Sequence, residues 1–263
     1  MKHYTNRIIL LLTGFLLMTS CTSQKKLAYL YDLPIADSES FTMDIPDYKI
    51  QHRDILYITI KAMTPDGSIN DYLTGTRNVG ISSIGQGEAG QYLMGYDVGK
   101  EGNILLPVIG SLEIAGHTLE EARSVIQNAA DGHFLNSTVE CKLLSFRFTV
   151  IGEVRAPGTY FNYNNYLTIL EAIGRAGGIS DYGRRDKVLV IRPYEGGTKT
   201  YSLNLQDKAI LTSEAYFLLP NDVVIIEPES KKIFNLNLPT FSFILTSVTS
   251  AITITLLLVN YFK

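Results

Sequence analysis

The fold of this chain is decided by VGKEGNILLPVIGSLEIAGHTLEEA, residues 98–122. Gly102 and Asn103 predict a tight turn, and the apolar residues 104–109 predict a strand. Gly110 and Ser111 predict a second turn, which leads into a return strand at residues 112–115. This stretch therefore predicts a short β-hairpin.

A helix follows the hairpin. Thr118 and Glu121 have the spacing of a capping box, in which each side chain bonds the backbone amide of the other residue. The apolar residues after Thr118 recur at helical spacing: Leu119, Ala122, Val125, Ile126 and Ala129. We therefore expect a helix that packs one face on a core.

A second module begins near residue 148. TVIGEVRAPGTY, residues 149–160, predicts a strand, a turn at residues 156–158 and a return strand. Residues 167–178 predict a helix of about three turns, closed by Gly177 and Gly178. We expect further strands at residues 188–192 and a strand pair in residues 216–226. A small sheet crossed by one helix, of the β-grasp type, accommodates this order.

Composition excludes several classes of function. The chain has 263 residues, 46% of them hydrophobic, which suffices for two modest domains. Its net charge of -3 gives no basic surface for nucleic acid. With two cysteines there is no disulfide framework, and Cys141 is expected to be a buried strand thiol.

The N-terminus has the pattern of a secretory signal. Residues 1–20 combine Lys2 and Arg7 with a short apolar core. The sequence LLMTSC, residues 16–21, resembles the lipobox of bacterial lipoproteins, which implies that the thiol of Cys21 is acylated. The alternative is that Cys21 follows an ordinary cleavage site. The polar residues after it are interpreted as a linker.

The C-terminal segment FILTSVTSAITITLLLVNYFK, residues 243–263, is apolar and rich in hydroxyl groups. As a helix, residues 240–262 span about 34 Å, enough to cross a bilayer, and Pro239 is expected to mark the break before it. An arc of about 100° on this helix collects most of its polar side chains, with Leu257 also inside the arc and Ser247 and Thr255 outside it. The polar side chains in the arc are Ser242, Thr246, Thr249, Ser250, Thr253 and Asn260. We expect this arc to line a water-filled channel. The alternative is that the segment is a single membrane anchor whose hydroxyls bond the carbonyls of its own backbone.

No enzymatic constellation is visible. Residues 85–90 match the spelling of a dinucleotide motif, but Glu88 would oppose phosphate and no helix pattern follows. The histidines outside the signal, at positions 52, 117 and 133, have no metal-ligand spacing. We therefore expect no catalytic residues, no metal site and no cofactor.

Two ordered sets of motifs resemble a known family. Residues 98–122 are similar to the signature of the polysaccharide export domain. Three later stretches are similar to the SLBB domain, the soluble ligand binding β-grasp domain. They are VIGEVRAPGTY (150–160), ILEAIGRAGGIS (169–180) and LLPNDVVIIEP (218–228). Together with the lipoprotein signal, they resemble the Wza-like outer membrane polysaccharide export family. In that family a Pro-Gly-Asp turn usually stands where this chain has His52-Arg53-Asp54.

The resemblance implies an α+β fold in a definite order. It consists of a signal peptide (1–20), a lipid-anchored linker (21–45), a polysaccharide export domain (46–147), a β-grasp SLBB domain (148–228) and a C-terminal amphipathic transmembrane helix segment (229–263). Cys21 would carry a diacylglyceryl group and an N-acyl chain such as palmitate.

The resemblance also implies a function. Homo-oligomers of about eight subunits would form a ring-shaped channel, with the C-terminal helices as a barrel. The ring would export capsular polysaccharide or exopolysaccharide through the outer membrane of a Gram-negative bacterium, with its main body periplasmic. Its partners would be the polysaccharide, membrane lipid and an inner-membrane polysaccharide co-polymerase. The alternative is a lipid-anchored periplasmic glycan-binding module without a pore.

Overall fold

The computed structural model describes residues 27–33, 40–43, 45–73, 95–194 and 196–262. Within that part of the chain, the side chains of residues 233–238, 240 and 256 are also outside the description. The predicted signal peptide, the lipidation site Cys21 and the glycine motif of residues 85–90 all lie outside the described residues.

The N-terminal domain is built around the long strand β1, Ile55–Met63. Leu56, Ile58 and Ile60 alternate along it and are almost fully buried, because one face of the strand lies on a core. Three strands pair antiparallel with β1: β2 (Ile69–Asp71), β3 (Tyr96–Asp97) and β6 (Leu135–Leu143).

The predicted hairpin is present as β4 (Asn103–Leu106) and β5 (Gly110–Glu113). Its turn falls at residues 107–109, so Gly110 and Ser111 belong to β5 and not to the turn. Val108 makes this reversal with φ at +70°. That angle is costly for a β-branched side chain, and for this reason the sequence pattern pointed to the glycine instead.

Helix α1, Leu119–Asp131, confirms the predicted helix and its capping box. The Thr118 hydroxyl accepts the Glu121 amide at 3.2 Å, and the Glu121 carboxylate accepts the Thr118 amide at 2.8 Å. Ala122, Ile126 and Ala130 form the fully buried face, which packs against β6.

The second domain is a five-stranded sheet in the order β10-β9-β11-β7-β8. Its strands are β7 (Arg147–Gly152), β8 (Gly158–Phe161), β9 (Gly183–Tyr194), β10 (Gly197–Leu203) and β11 (Val223–Pro228). Strands β11 and β7 run parallel, and the other neighbours are antiparallel. Helix α2, Ile169–Arg175, contacts β7, and a 3-10 helix covers Lys208–Thr212.

The structure corrects some predicted elements of this domain. Helix α2 is shorter than predicted, because Thr168 caps its start and Gly177 and Gly178 take φ of +76° and +84° after its end. The strand pair expected in residues 216–226 is one strand, β11. Residue Phe217 forms only an isolated bridge with Thr168. Strand β10 was not predicted, since its polar residues are mostly exposed and lack a clear alternation.

Each domain has its own hydrophobic core. Leu56, Ile104 and Ile126 belong to the first, and Phe148 and Val190 belong to the second. Leu143, at the end of β6, packs against both clusters. The two domains are therefore in contact where the chain passes from one to the other.

Helix α3, Ser230–Tyr261, leaves the second domain directly after β11. Its 32 residues give a length of about 48 Å. Pro239 lies inside it, so the break predicted at this position is wrong. A proline removes one backbone donor, but the helix on both sides of it remains continuous.

Candidate functional site

The free part of helix α3 is the first candidate site. Every described side chain from position 241 to position 262 is exposed. Within the described residues, Phe241–Tyr261 is the one helix segment long and apolar enough to cross a membrane. An apolar segment of this length without protein contacts requires lipid or other helices around it.

The six predicted pore-lining residues all lie on this exposed segment, and several of their hydroxyls bond the helix backbone. Thr246 donates to the carbonyl of Ser242 at 2.8 Å, and Thr253 donates to that of Thr249 at 2.8 Å. Ser242 and Thr249 donate similarly, to Pro239 and Thr246 at 2.9 Å. Each of these hydroxyl oxygens can still accept a hydrogen bond. The bonds to the backbone are therefore compatible with a helix face that lines water as well as with a single membrane anchor.

The start of α3 is fixed to the second domain. The Glu229 amide donates to the Tyr182 carbonyl at 2.7 Å, and Lys232 forms an ion pair with Glu153. The hydrogen bond from Lys232 lowers the pKa of Glu153, and a bond from Ser180 at 2.8 Å acts in the same direction. The helix therefore leaves the domain at a defined position.

The N-terminal segment, residues 27–33, is held on the same domain, although the sequence indicated a linker here. The amides of Leu30 and Tyr31 donate to the carbonyls of Leu205 and Gln206 at 2.9 and 2.8 Å. Asp32 accepts the Lys208 amide at 2.7 Å. Leu30 packs against the second core, a contact that the short apolar pattern LAYLYDL could have suggested.

The two terminal segments approach each other on this domain. The guanidinium of Arg185 lies 5.6 Å from the centre of the Tyr29 ring. Arg185 and Gln206 also line a solvent-open cavity of about 340 Å³ together with Glu229 and Ser230 at the start of α3. Residues 27–33 and the start of α3 therefore lie near the same side of the second domain.

Buried carboxylates stabilise a similar turn in each domain. Asp54 accepts the Gln51 amide at 2.8 Å, and Asp222 accepts the Leu219 amide at 2.8 Å. In each turn the preceding residue has a left-handed backbone, with φ of +74° at Arg53 and +68° at Asn221. In the Pro-Gly-Asp turn of the resembled family, glycine stands at the position of Arg53. Arg53 therefore adopts a left-handed conformation that glycine adopts readily.

These polar groups are structural. Asp222 forms a buried ion pair with Arg192, whose Nη2 lies 2.8 Å from Oδ2. Cys141 is partly buried in β6, and desolvation raises the pKa of its thiol to about 12, which makes it a poor nucleophile. Among the described residues, no group of His, Cys, Asp and Glu could hold a metal ion.

Comparisons with known proteins match both domains. Residues 43–143 match the family model described as polysaccharide biosynthesis/export protein, and residues 146–226 match that of the SLBB domain. The chain belongs to the Wza-like polysaccharide export family. The two modules of this family correspond to the two cores, with the exposed helix α3 beyond them.

Curated relatives carry names from the same family. The chain is 32% identical over 148 residues to the EPS I polysaccharide export outer membrane protein EpsA of Ralstonia solanacearum. It is 35% identical over 98 residues to the protein of the same name from Ralstonia nicotianae. These matches cover 53% and 35% of this chain but only 38% and 26% of the relatives.

Proposed function

We propose that this chain is a subunit of a ring-shaped outer-membrane channel that exports capsular polysaccharide or exopolysaccharide. The observation that carries this proposal is the direct continuation of two matched export-family domains into one exposed, membrane-length helix. The relatives' names, which specify polysaccharide export and the outer membrane, support the substrate class and the location.

The polar arc of α3 is the reason for proposing a ring. A lone helix would expose this arc to lipid, where neutral polar groups lose hydrogen bonds to water. In a ring of amphipathic helices the arc faces a water-filled channel, and neutral hydroxyls bind a passing sugar chain weakly. The proposed lining consists of Ser242, Thr246, Thr249, Ser250, Thr253 and Asn260.

The lipid on Cys21 is part of this proposal. Cys21 precedes Leu27 by six residues, which can span at most about 21 Å. Because residues 27–33 and the start of α3 lie on one side of the second domain, the lipid and the helix can enter the same membrane. Two acyl chains would make that attachment lasting.

The remaining assignments follow from the family. We assign the five-stranded sheet with α2 to the β-grasp type, and the body of the protein to the periplasm. A homo-oligomer of about eight copies would meet an inner-membrane polysaccharide co-polymerase. In this function the protein is a conduit and catalyses no reaction.

A lipid-anchored glycan-binding module without a pore is the second candidate. The observation that favours it is the bonding of Thr246, Thr249 and Thr253 to their own helix backbone. These bonds let a single helix carry hydroxyls in lipid at low cost. In that case α3 is an anchor only.

The test compares the full chain with a version that ends after Pro228, both purified in mild detergent. Light scattering and electron microscopy should show a multi-subunit ring for the full chain, weakened or open at one end in the truncated version. In cells, deletion of the gene for this chain should cause the polymer to accumulate in the periplasm. Monomers in both preparations, with polymer still reaching the surface of the deletion strain, would refute the channel.

A further inference from the structure

An outward-facing loop of the second domain, Asn162 to Tyr166 with the sequence NYNNY, has a fixed conformation. Asn162 is buried, and its side-chain amide donates to the carbonyls of Asn164 at 2.7 Å and Tyr166 at 3.3 Å. Arg175 donates to the Asn162 side-chain oxygen at 3.0 Å and to the Phe161 carbonyl at 2.9 Å. The loop is therefore ordered before any ligand binds.

The loop displays its other side chains to solvent. Tyr163 is 73% exposed and Tyr166 is 47% exposed, and Asn164 and Asn165 are exposed between them. Tyrosine and asparagine on a rigid loop are characteristic of surfaces that bind a ligand.

A cleft of about 70 Å³ lies beside this loop, between the two domains. Phe146, Phe217 and Leu218 of the second domain contribute buried apolar side chains, and Tyr48 and Leu119 come from the first domain. The Tyr166 ring meets the Phe217 ring edge-on, with the ring centroids 6.1 Å apart. The exposed tyrosine is thereby held at the rim of the cleft.

We propose that this loop and cleft bind a segment of the exported polysaccharide. The phenol rings of Tyr163 and Tyr166 offer flat apolar faces for the C–H face of a sugar ring, and their hydroxyls remain polar. The amides of Asn164 and Asn165 supply both donors and acceptors for sugar hydroxyls. The small cleft admits a substituent of the sugar rather than a whole ring.

The lining favours an uncharged segment of glycan. Lys142 is the cation among the cleft's lining residues, and it already forms an ion pair with Glu140. A carboxylate or phosphate would therefore meet a single cation in the lining, and that cation lies beside an acidic side chain. Such a site, with a few polar groups around apolar walls, is the usual form of a small-molecule pocket.

This inference rests on the proposed function, because the substrate class comes from it. A second copy of the chain is the competing occupant, since tyrosine is also common at protein interfaces. The glycan is favoured because the displayed groups are amides and phenols, and because the loop is preorganised by its own buried Asn162.

The experiment uses the full chain in detergent and short fragments of the polysaccharide released by the producing strain. Binding is measured by calorimetry for wild type, Tyr163→Ala and the double variant Tyr163→Ala/Tyr166→Ala. We expect the double variant to bind about tenfold more weakly or worse. The variants Tyr163→Phe and Tyr166→Phe keep the ring faces and should lose less affinity. Tyr194→Ala, at an exposed tyrosine on β9, should bind as wild type does.

Assembly mass and polymer location separate the outcomes. Weaker fragment binding by Tyr163→Ala and the double variant, with unchanged assembly mass and melting temperature, would support the site. Unchanged binding in both variants, or no binding by wild type, would overturn it, and so would a loss of assembly mass with binding intact. The deletion strain tests export independently. If it retains polymer in the periplasm, the proposed export function holds even when the loop variants bind fragments normally.

Discussion

Tyr48 donates its hydroxyl hydrogen to Oδ2 of Asp54 over 2.7 Å, at the start of the first domain. The other oxygen of Asp54 accepts the hydroxyl of Ser145, 91 positions away, at 3.0 Å. Ser145 lies between the two matched domains, so this buried carboxylate ties the turn before β1 to the passage between them.

Asp54 should give stability an unusual dependence on pH. Burial raises the pKa of this carboxyl above its ordinary value of 3.8, so the folded protein binds its proton at higher pH than the unfolded chain does. The contribution of Asp54 to the free energy of unfolding therefore rises as pH falls from the folded pKa towards the unfolded one. Asp54→Asn removes this contribution.

Chemical denaturation of both proteins between about pH 7 and pH 4 measures the effect. We expect the wild type to gain stability relative to Asp54→Asn as the pH falls. A constant difference between the two proteins across that range would contradict the expectation.

The buried pair Arg192 and Asp222 should be strongly coupled. Arg192→Met leaves the Asp222 carboxylate buried without its partner and should lower the free energy of unfolding by about 3–5 kcal/mol. The double variant Arg192→Met/Asp222→Leu removes both charges and should be less destabilised than the single variant. Urea unfolding of the wild type, Arg192→Met, Asp222→Leu and the double variant measures this, and simple addition of the two single effects would rule out the coupling.

Gly152 should tolerate no side chain. A Cβ at this position would lie 2.0 Å from the carbonyl oxygen of Ile226, where β7 and β11 run side by side, and φ is +96°. We expect Gly152→Ala to cost about 3 kcal/mol or more. Gly110→Ala is the matched control, since φ there is +95° with nothing within 4 Å. It should show the backbone cost alone, about 1 kcal/mol. Equal melting temperatures for the two variants would disprove the clash.

Val108 should be replaceable with a gain in stability. Its φ of +70° is unfavourable for a β-branched residue, and its side chain is 73% exposed at the hairpin tip. Val108→Asn relieves this strain and should raise the free energy of unfolding by about 1 kcal/mol. Leu105→Asn, equally exposed but in strand β4, should give no such gain. A loss of stability in Val108→Asn would show that the valine serves the fold.

Cysteine scanning of α3 tests the pore face. In a Cys141→Ala background, Thr246→Cys, Thr249→Cys and Thr253→Cys should react with a membrane-impermeant thiol reagent. Ile244→Cys, Val248→Cys and Ile252→Cys, on the apolar side, should be protected by lipid. Labelling in intact membranes followed by mass spectrometry gives the rates. The same rate for both sets would assign α3 to anchoring instead.

Much of the local structure follows from short-range signals. The capping box of Thr118 and Glu121 and the glycines after α2 act within a few residues of chain, so the sequence predicted them correctly. Predictions failed where a residue has a local conformational preference but the rest of the structure decides its conformation. Pro239 signals a helix end, yet α3 continues through it. The residues around Phe217 look like a strand but pair only at one bridge with Thr168.

The sequence alone determined the order of the modules, the two capped helices and the presence of a membrane-length apolar segment with a polar arc at the C-terminus. Tertiary structure decided which distant groups meet: Asp54 with Ser145, Arg192 with Asp222, and residues 27–33 with the second domain. It also formed the cleft beside Tyr166 from both domains. The reason is physical. Helix caps and amphipathic periods are encoded between neighbours along the chain, whereas buried polar pairs form only after burial has removed water from groups far apart in sequence.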